Sequence, residues 1–200
     1  MTWGEFQRQY DAEGREKADG YSPGDFDGMS DEERARARSM MLNRALNGDS
    51  IDLSGLRYIG DATTAATLEA ADDVARRLGW RDDVIRHEVL FELTGEYRYL
   101  FDLAGYLDGR DPERQERAAY ALTWYVLPAE TEPFLVDRIV DGRHEPAILP
   151  LLKAWIALHQ RAVCDLMCFQ RHLDLVRRVS DSSPARRRTL LSDAVAGLSS

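Results

Sequence analysis

The stretch Leu107–Leu122, LDGRDPERQERAAYAL, decides more about the fold than any other part of the sequence. Asp111 can cap the N-terminus of a helix, and Pro112 suits the first helical position, where a missing N–H is no loss. Ala118 and Leu122 lie four residues apart, so they share the face that would pack on the preceding helix. The stretch therefore predicts a tight turn followed by a packed helix.

A similar pattern returns about 33 residues later in the chain. Three short matches share this offset: Phe101 with Phe134, Asp108-Gly109-Arg110 with Asp141-Gly142-Arg143, and Ala121 with Ala154. Each match falls at the same place in a helix-turn-helix unit, and strand-type alternation is absent from the sequence. A repeat of this period predicts stacked helical hairpins.

Leu107–Leu122 resembles the turn between the two helices of a short HEAT repeat, and the resemblance covers roughly residues 82–160. It implies an all-α fold, specifically an irregular HEAT-like array of helical hairpins. A compact helical bundle is the alternative, because prolines interrupt the third unit. These prolines are Pro128, Pro133, Pro146 and Pro150.

The rest of the chain is predicted to be helical, within a single domain over residues 1–200. Residues 1–80 would hold N-terminal helices with a loop near residues 19–29, and residues 161–200 would hold C-terminal capping helices. Ser30 and Glu33 form a capping-box pattern at the start of one helix. Asp61 is expected to cap another helix, which would run to Leu78.

The charge of −9 is unevenly distributed along the chain. Residues 151–200 carry eight Lys or Arg against four Asp or Glu, which leaves residues 1–150 near −13. An acidic field repels nucleic-acid phosphates and anionic membranes, and it attracts basic proteins. The charge therefore predicts a basic protein partner and no nucleic acid or membrane, although acidic surfaces also serve solubility alone.

The sequence features that bear on the cellular compartment indicate the cytoplasm. The sequence has no apolar run of about 18 residues, and its first residues, MTWGEF, are unlike a signal peptide. Cys164 and Cys168 lie four residues apart in an apparent helix, where disulfide geometry is unfavourable. Reduced thiols in the cytoplasm are expected.

A search for chemistry finds one metal candidate, the series Cys164, Cys168 and His172 on one helical face. Along a helix the outer two would stand about 12 Å apart, so one ion could not be held by both. The apolar neighbours indicate packing instead. We predict no metal, no cofactor, no catalytic residues and no enzyme activity, since no motif marks a nucleophile or an acid–base pair.

In a HEAT-like array the second helix of each unit lines the concave face, here Glu96–Leu107 and Thr131–Val140. Leu100, Leu103 and Leu107 would pack inward. Tyrosines and carboxylates would then face outward and contact Arg and Lys of a partner. The predicted partner-binding residues are Tyr97, Asp102, Tyr106, Glu132, Asp137 and Asp141.

Two further features suggest a function: an N-terminal helix with Trp3 and Phe6, and a helix that contains Glu33-Arg34-x-Arg36-Ala37 and ends in Ala45-Leu46-Asn47-Gly48-Asp49. Together with the acidic hairpins they resemble immunity proteins of bacterial polymorphic or contact-dependent toxin systems. The resemblance implies one-to-one binding that occludes a basic toxin domain. A HEAT-like scaffold for another cellular protein is the alternative function, and an uncharacterised helical enzyme is the third.

Overall fold

A computed structural model describes residues 1–71, 80–141 and 145–198. Thirteen α-helices and no strand occur in these ranges, which confirms the all-α prediction. The chain forms two compact units, Met1–Tyr99 and Leu100–Ser200. The single domain over residues 1–200 stays a prediction, as does the choice between a hairpin array and a bundle. No described helix is both long and apolar enough to cross a membrane.

The first unit contains six helices in its described residues, together with a 3₁₀ turn at Pro23–Phe26. They are α1 Trp3–Asp11, α2 Gly14–Ala18, α3 Asp31–Leu46, α4 Ser50–Ile59, α5 Ala62–Ala70 and α6 Trp80–Thr94. The predicted end of the α5 helix at Leu78 lies outside the described residues.

The second unit contains seven helices in its described residues, the first of which, α7, begins just before the division between the units. It also includes 3₁₀ turns at Tyr106–Asp108 and Ala129–Thr131. The helices are α7 Arg98–Gly105, α8 Pro112–Leu122, α9 Glu132–Asp141, α10 Glu145–Gln160, α11 Leu166–Arg171, α12 Leu173–Ser180 and α13 Pro184–Leu198.

The predicted helix starts are confirmed by their caps. At α3, Glu33 N donates to Ser30 Oγ at 3.2 Å and Ser30 N donates to Glu33 Oε2 at 2.8 Å, which completes the capping box. Asp61 caps α5 and Asp111 caps α8, with Pro112 at the first helical position. After α3, Gly48 adopts a φ of 97°, the left-handed conformation expected beyond a helix end.

The core of the first unit includes part of the predicted loop. Residues 19–29 contain a 3₁₀ turn whose Phe26 ring is buried beside that of Phe6, with ring centroids 6.3 Å apart. Met41 and Leu53 are also fully buried, so α1, the turn, α3 and α4 share one core. The removal of this apolar core from water stabilises the first unit.

A polar network lies within the first unit. Lys17 Nζ donates to Asp52 Oδ2 at 2.9 Å, and Tyr21 Oη donates to Asp52 Oδ1 at 2.7 Å. The Asp52 side chain is wholly inaccessible to solvent. Burial raises the pKa of Asp52 above its usual value, while the two hydrogen bonds act in the opposite direction. Ionised Asp52 therefore depends on both partners, since desolvation of its charge is not otherwise offset.

The second unit is organised around α10, which packs against α8, α9, α12 and α13. Trp155 is completely buried near the middle of this helix. The helix ends at Gln160, and Arg161 takes a φ of 53°. This left-handed residue starts a loop, after which α11 and α12 form as separate helices.

The loop after α10 corrects the prediction of reduced thiols. Cys164 precedes the helix whose N-cap is Asp165, so Cys164 and Cys168 do not share a regular helix. Their Cα atoms lie 5.2 Å apart, and the two residues form a disulfide. The cysteines therefore no longer argue for a reducing compartment.

Thiol titration tests this disulfide directly. Protein purified without reductant and then denatured should show no thiol that reacts with Ellman's reagent, because both cysteines of the chain are paired. Reduction after denaturation should expose two thiols per chain. Two reactive thiols in the unreduced sample would show that the bond does not form.

Candidate interaction surface

The predicted helix Glu96–Leu107 is shorter in the structure, where α7 covers Arg98–Gly105 and a 3₁₀ turn covers Tyr106–Asp108. The predicted inward and outward positions nevertheless agree with the observed burial. Leu100, Leu103 and Leu107 are buried, while Asp102 is exposed and Tyr106 is half-buried. The guanidinium carbon of Arg114 lies 3.8 Å from the centroid of the Tyr106 ring. One face of the Tyr106 ring is thus already covered by a cation of the same chain.

Tyr97 belongs to the first unit, whereas the other five predicted interface residues belong to the second. Its side chain is 45% exposed, and its ring centroid lies 5.5 Å from that of Phe91. An exposed ring held by a neighbouring ring is a suitable contact for a partner, because little side-chain entropy remains to be lost on binding.

The three predicted acids of α9 differ in their surroundings. Glu132 Oε1 lies 2.9 Å from His159 Nε2, and Asp137 Oδ1 accepts from Arg188 Nη2 at 2.8 Å. Asp141 lines a cavity of the second unit. The Arg188 cation therefore offsets part of the negative charge on this helix.

The arginine cluster of α13 serves contacts within the chain. Arg187 is buried and donates to the carbonyl oxygens of Val179, Ser180 and Ile139 at 3.1–3.2 Å. It satisfies carbonyl groups near the ends of α12 and α9, while the neighbouring Arg188 pairs with an acid. Arg187 and Arg188 therefore make contacts within the chain.

The sequence prediction did not include a group of exposed aromatic rings on the second unit. Tyr120 and Trp124 are 46% and 52% exposed, and their rings meet edge to face with centroids 5.9 Å apart. Lys153 Nζ lies 5.4 Å from the Trp124 ring centroid, and Leu149, one turn earlier on α10, is 48% exposed. We call Tyr120, Trp124, Leu149 and Lys153 the aromatic patch.

A signal for this patch existed in the sequence. Ala118, Ala121 and Leu122 point to the core, so the intervening Tyr120 has to face away from it. The prediction considered only the second helix of each hairpin and so passed over α8. Glu116, exposed one turn before Tyr120, places a carboxylate beside the rings.

The metal candidate has a different geometry from a metal site. Cys164 and Cys168 are joined to each other, and His172 Nε2 lies 2.8 Å from Gln160 Nε2. Burial lowers the pKa of His172, which favours the neutral ring. Among the residues described, no group of three or more His, Cys, Asp or Glu side chains could hold a metal ion.

No protein-family model, curated protein or solved structure matches the chain. The residues and contacts described above are therefore the basis for assigning a function.

Proposed function

We propose that the chain is a non-enzymatic protein-binding module, an immunity protein that neutralises a basic toxin domain by occluding it. Binding is one-to-one and involves no chemical turnover. The proposed place of action is the cytoplasm, where a toxin domain would otherwise reach its target. The disulfide is compatible with this compartment because Cys164 and Cys168 are buried from solvent reductants.

The aromatic patch is the observation that carries this proposal. Large rings are costly to expose, and contiguous exposed rings on a folded protein are typical of protein interfaces. Tyr and Trp also dominate the binding energy of such interfaces, because they bury a large area at little entropic cost. Tyr120 and Trp124 already contact each other, so they form a preorganised anchor.

Charge defines the chemistry of the partner. The chain carries −9 overall, and carboxylates lie on both α8 and α9. Glu116 stands beside the rings, while Asp102, Asp137 and Asp141 are exposed elsewhere on the second unit. A basic surface would be attracted at long range by this field, and the rings would then hold it at short range.

A growth assay tests the function. A host that expresses the product of the gene directly upstream should stop growing, and co-expression of this chain should restore growth. The proposal predicts rescue in proportion to the amount of chain produced, since occlusion is stoichiometric. If the upstream product is harmless, or if it stays toxic in the presence of excess folded chain, the immunity function is wrong.

The predicted interface acids should control the rate of association with that toxin domain. Replacing Asp102, Asp137 and Asp141 together by Asn should lower the on-rate roughly threefold to tenfold at low salt, because long-range attraction is reduced. Tyr97→Ala or Tyr106→Ala should chiefly raise the off-rate, by about 1–3 kcal/mol for a hot spot. Surface plasmon resonance separates the two rates.

A matched control carries the same charge change on the first unit. Glu13→Gln, Glu16→Gln and Asp19→Asn alter three exposed residues, so this triple variant should keep an on-rate closer to that of the native chain. Raising ionic strength should slow association more than it speeds dissociation. Equal on-rates for the native chain, the interface variant and the control variant would show that the acids of α7 and α9 do not lie in the interface.

A further inference from the structure

A cleft of about 750 Å³ lies in the second unit beside the end of α10. Its volume is within the range of small-molecule sites, which is about 300–1,000 Å³. Its walls include the start of α9, the last turn of α10, the loop that follows α10 and the end of α11. Side chains that are far apart in the sequence therefore meet around one space.

Two arginines that line the cleft are unpaired. Arg161 and Arg171 are exposed, and their guanidinium groups have no hydrogen bond or ion pair with any residue that the structure describes. A single exposed guanidinium is simply hydrated. Two guanidiniums that border the same space raise the electrostatic potential there and attract an anion.

Glu132 brings a negative charge to the cleft, and its carboxylate already has a contact. Glu132 Oε1 lies 2.9 Å from Nε2 of His159, whose ring meets that of buried Trp155 edge to face with centroids 4.6 Å apart. No other carboxylate belongs to the described lining, so two guanidiniums are set against one acid. The charges of the cleft therefore favour an anion and disfavour a cation.

The chain geometry fixes the segments that carry the two arginines. Arg161 has a φ of 53°, and within the described ranges it is the one residue other than glycine with a positive φ. Such a conformation is costly for a residue with a side chain, and it recurs at functional sites. The disulfide between Cys164 and Cys168 joins the loop after Arg161 to α11, the helix that ends at Arg171. The two arginines are thus tethered to each other, which preorganises the site.

Apolar groups complete the lining and indicate the kind of anion. Leu158 is 8% exposed in the last turn of α10, and Ala129 and Ala162 are exposed nearby in the same cleft. An inorganic anion would leave these groups in water, whereas an anion with an apolar body would cover them. A planar carboxylate can also accept two parallel N–H bonds from one guanidinium.

We propose that this cleft binds an organic monocarboxylate, a small acid with an apolar body. Its carboxylate accepts hydrogen bonds from the guanidinium groups of Arg161 and Arg171, and its apolar body contacts Leu158 and Ala162. The cleft shares no lining residue with the aromatic patch. The site is therefore independent of the proposed function and of the toxin domain.

Titration with 4-phenylbutyrate tests the site in the whole chain. In ¹H–¹⁵N and methyl spectra, the side-chain Nε–H signals of Arg161 and Arg171 and the methyl signals of Leu158 should shift and saturate. The expected Kd is in the millimolar range, because the guanidiniums are exposed to solvent. Neutral 4-phenyl-1-butanol and the 4-phenylbutylammonium ion should give no saturable shift at the two arginines, since they lack the anionic group.

Two results of this titration would overturn the proposal. If 4-phenylbutyrate produces no saturable shift at Arg161 and Arg171, the cleft is not a carboxylate site. If inorganic phosphate or the neutral alcohol binds there as tightly as 4-phenylbutyrate, the cleft does not select an organic carboxylate.

Substitution of each arginine locates the binding. Arg161→Gly and Arg171→Gln should each weaken 4-phenylbutyrate binding roughly fivefold, because each removes a charge-assisted contact. Glycine adopts a φ near 53° without strain, so Arg161→Gly should stay folded by circular dichroism. Arg178→Gln is the matched control, since it removes an exposed arginine outside the cleft lining and should leave the Kd nearly unchanged.

The pattern among these variants distinguishes a site from general attraction. A loss confined to Arg161→Gly and Arg171→Gln supports the cleft. Equal weakening by Arg178→Gln would show that the anion responds only to overall charge, and it would contradict the site. So would native affinity in a folded double variant that carries both Arg161→Gly and Arg171→Gln.

Discussion

Replacing Tyr120 and Trp124 together by alanine is expected to eliminate growth rescue and to raise the Kd for the toxin domain at least 100-fold. Each ring is about half exposed in the free chain, so truncation removes little core packing. In a complex the pair would be fully buried, and hot-spot aromatics typically contribute at least 2 kcal/mol each. The large effect is therefore expected on binding and not on folding.

The control for this variant is Tyr58→Ala in the first unit. Tyr58 is 37% exposed and lies on α4 of the first unit, whereas the aromatic patch belongs to the second unit. It should bind within a factor of about two of the native chain, since surface truncations outside an interface are close to neutral. Native affinity in a folded Tyr120→Ala, Trp124→Ala double variant would show that the patch is not the anchor.

Asp52→Ala is expected to lower the free energy of unfolding by about 3–5 kcal/mol at neutral pH. The substitution would leave the buried Lys17 ammonium with only the more distant Asp49 carboxylate, at 3.6 Å, and the Tyr21 hydroxyl without its acceptor. Removing one member of a buried ion pair is far more destabilising than the pair itself is stabilising. Urea denaturation followed by circular dichroism measures the difference.

An exposed pair in the same chain provides the comparison. Asp137 and Arg188 form an ion pair at 2.8 Å with both side chains more than half exposed. Asp137→Ala should therefore cost less than about 1 kcal/mol. If Asp52→Ala and Asp137→Ala destabilise the chain equally, burial does not control the strength of the Lys17 network.

The features that could be predicted from the sequence are local ones. A capping box joins residues only three apart, so Ser30 and Glu33 identify the start of α3 without knowledge of the rest of the chain. Asp111 and Pro112 do the same for α8. The helical period likewise separates the buried leucines of α7 from exposed Asp102.

The features that could not be predicted depend on distant residues or on one unusual dihedral angle. Lys17 and Asp52 are 35 positions apart, and Asp137 and Arg188 are 51 apart, so no periodic pattern relates them. The disulfide was missed because a positive φ at Arg161 interrupts a stretch whose composition is helical throughout. Tertiary contacts override local propensity at such positions.

The candidate site also combines local features, which could be predicted, with features that depend on distant residues, which could not. The exposure of Asp102 follows from spacing on a helix, whereas the pairing of Glu132 with His159 requires two helices to meet. The cleft that Arg161 and Arg171 line depends on several elements at once, and no sequence pattern relates Arg161 to Glu132. Local rules thus indicate which side chains are available, and packing determines which of them act together.

Isothermal titration calorimetry with the purified upstream gene product, combined with an assay of that product's toxic activity, tests the proposed occlusion most directly. We predict saturable one-to-one binding that weakens with salt, and loss of toxic activity in proportion to the fraction of partner bound. Absence of binding by the folded chain would contradict the proposal. So would complete inactivation of the partner by substoichiometric amounts of the chain, because that result requires catalytic turnover.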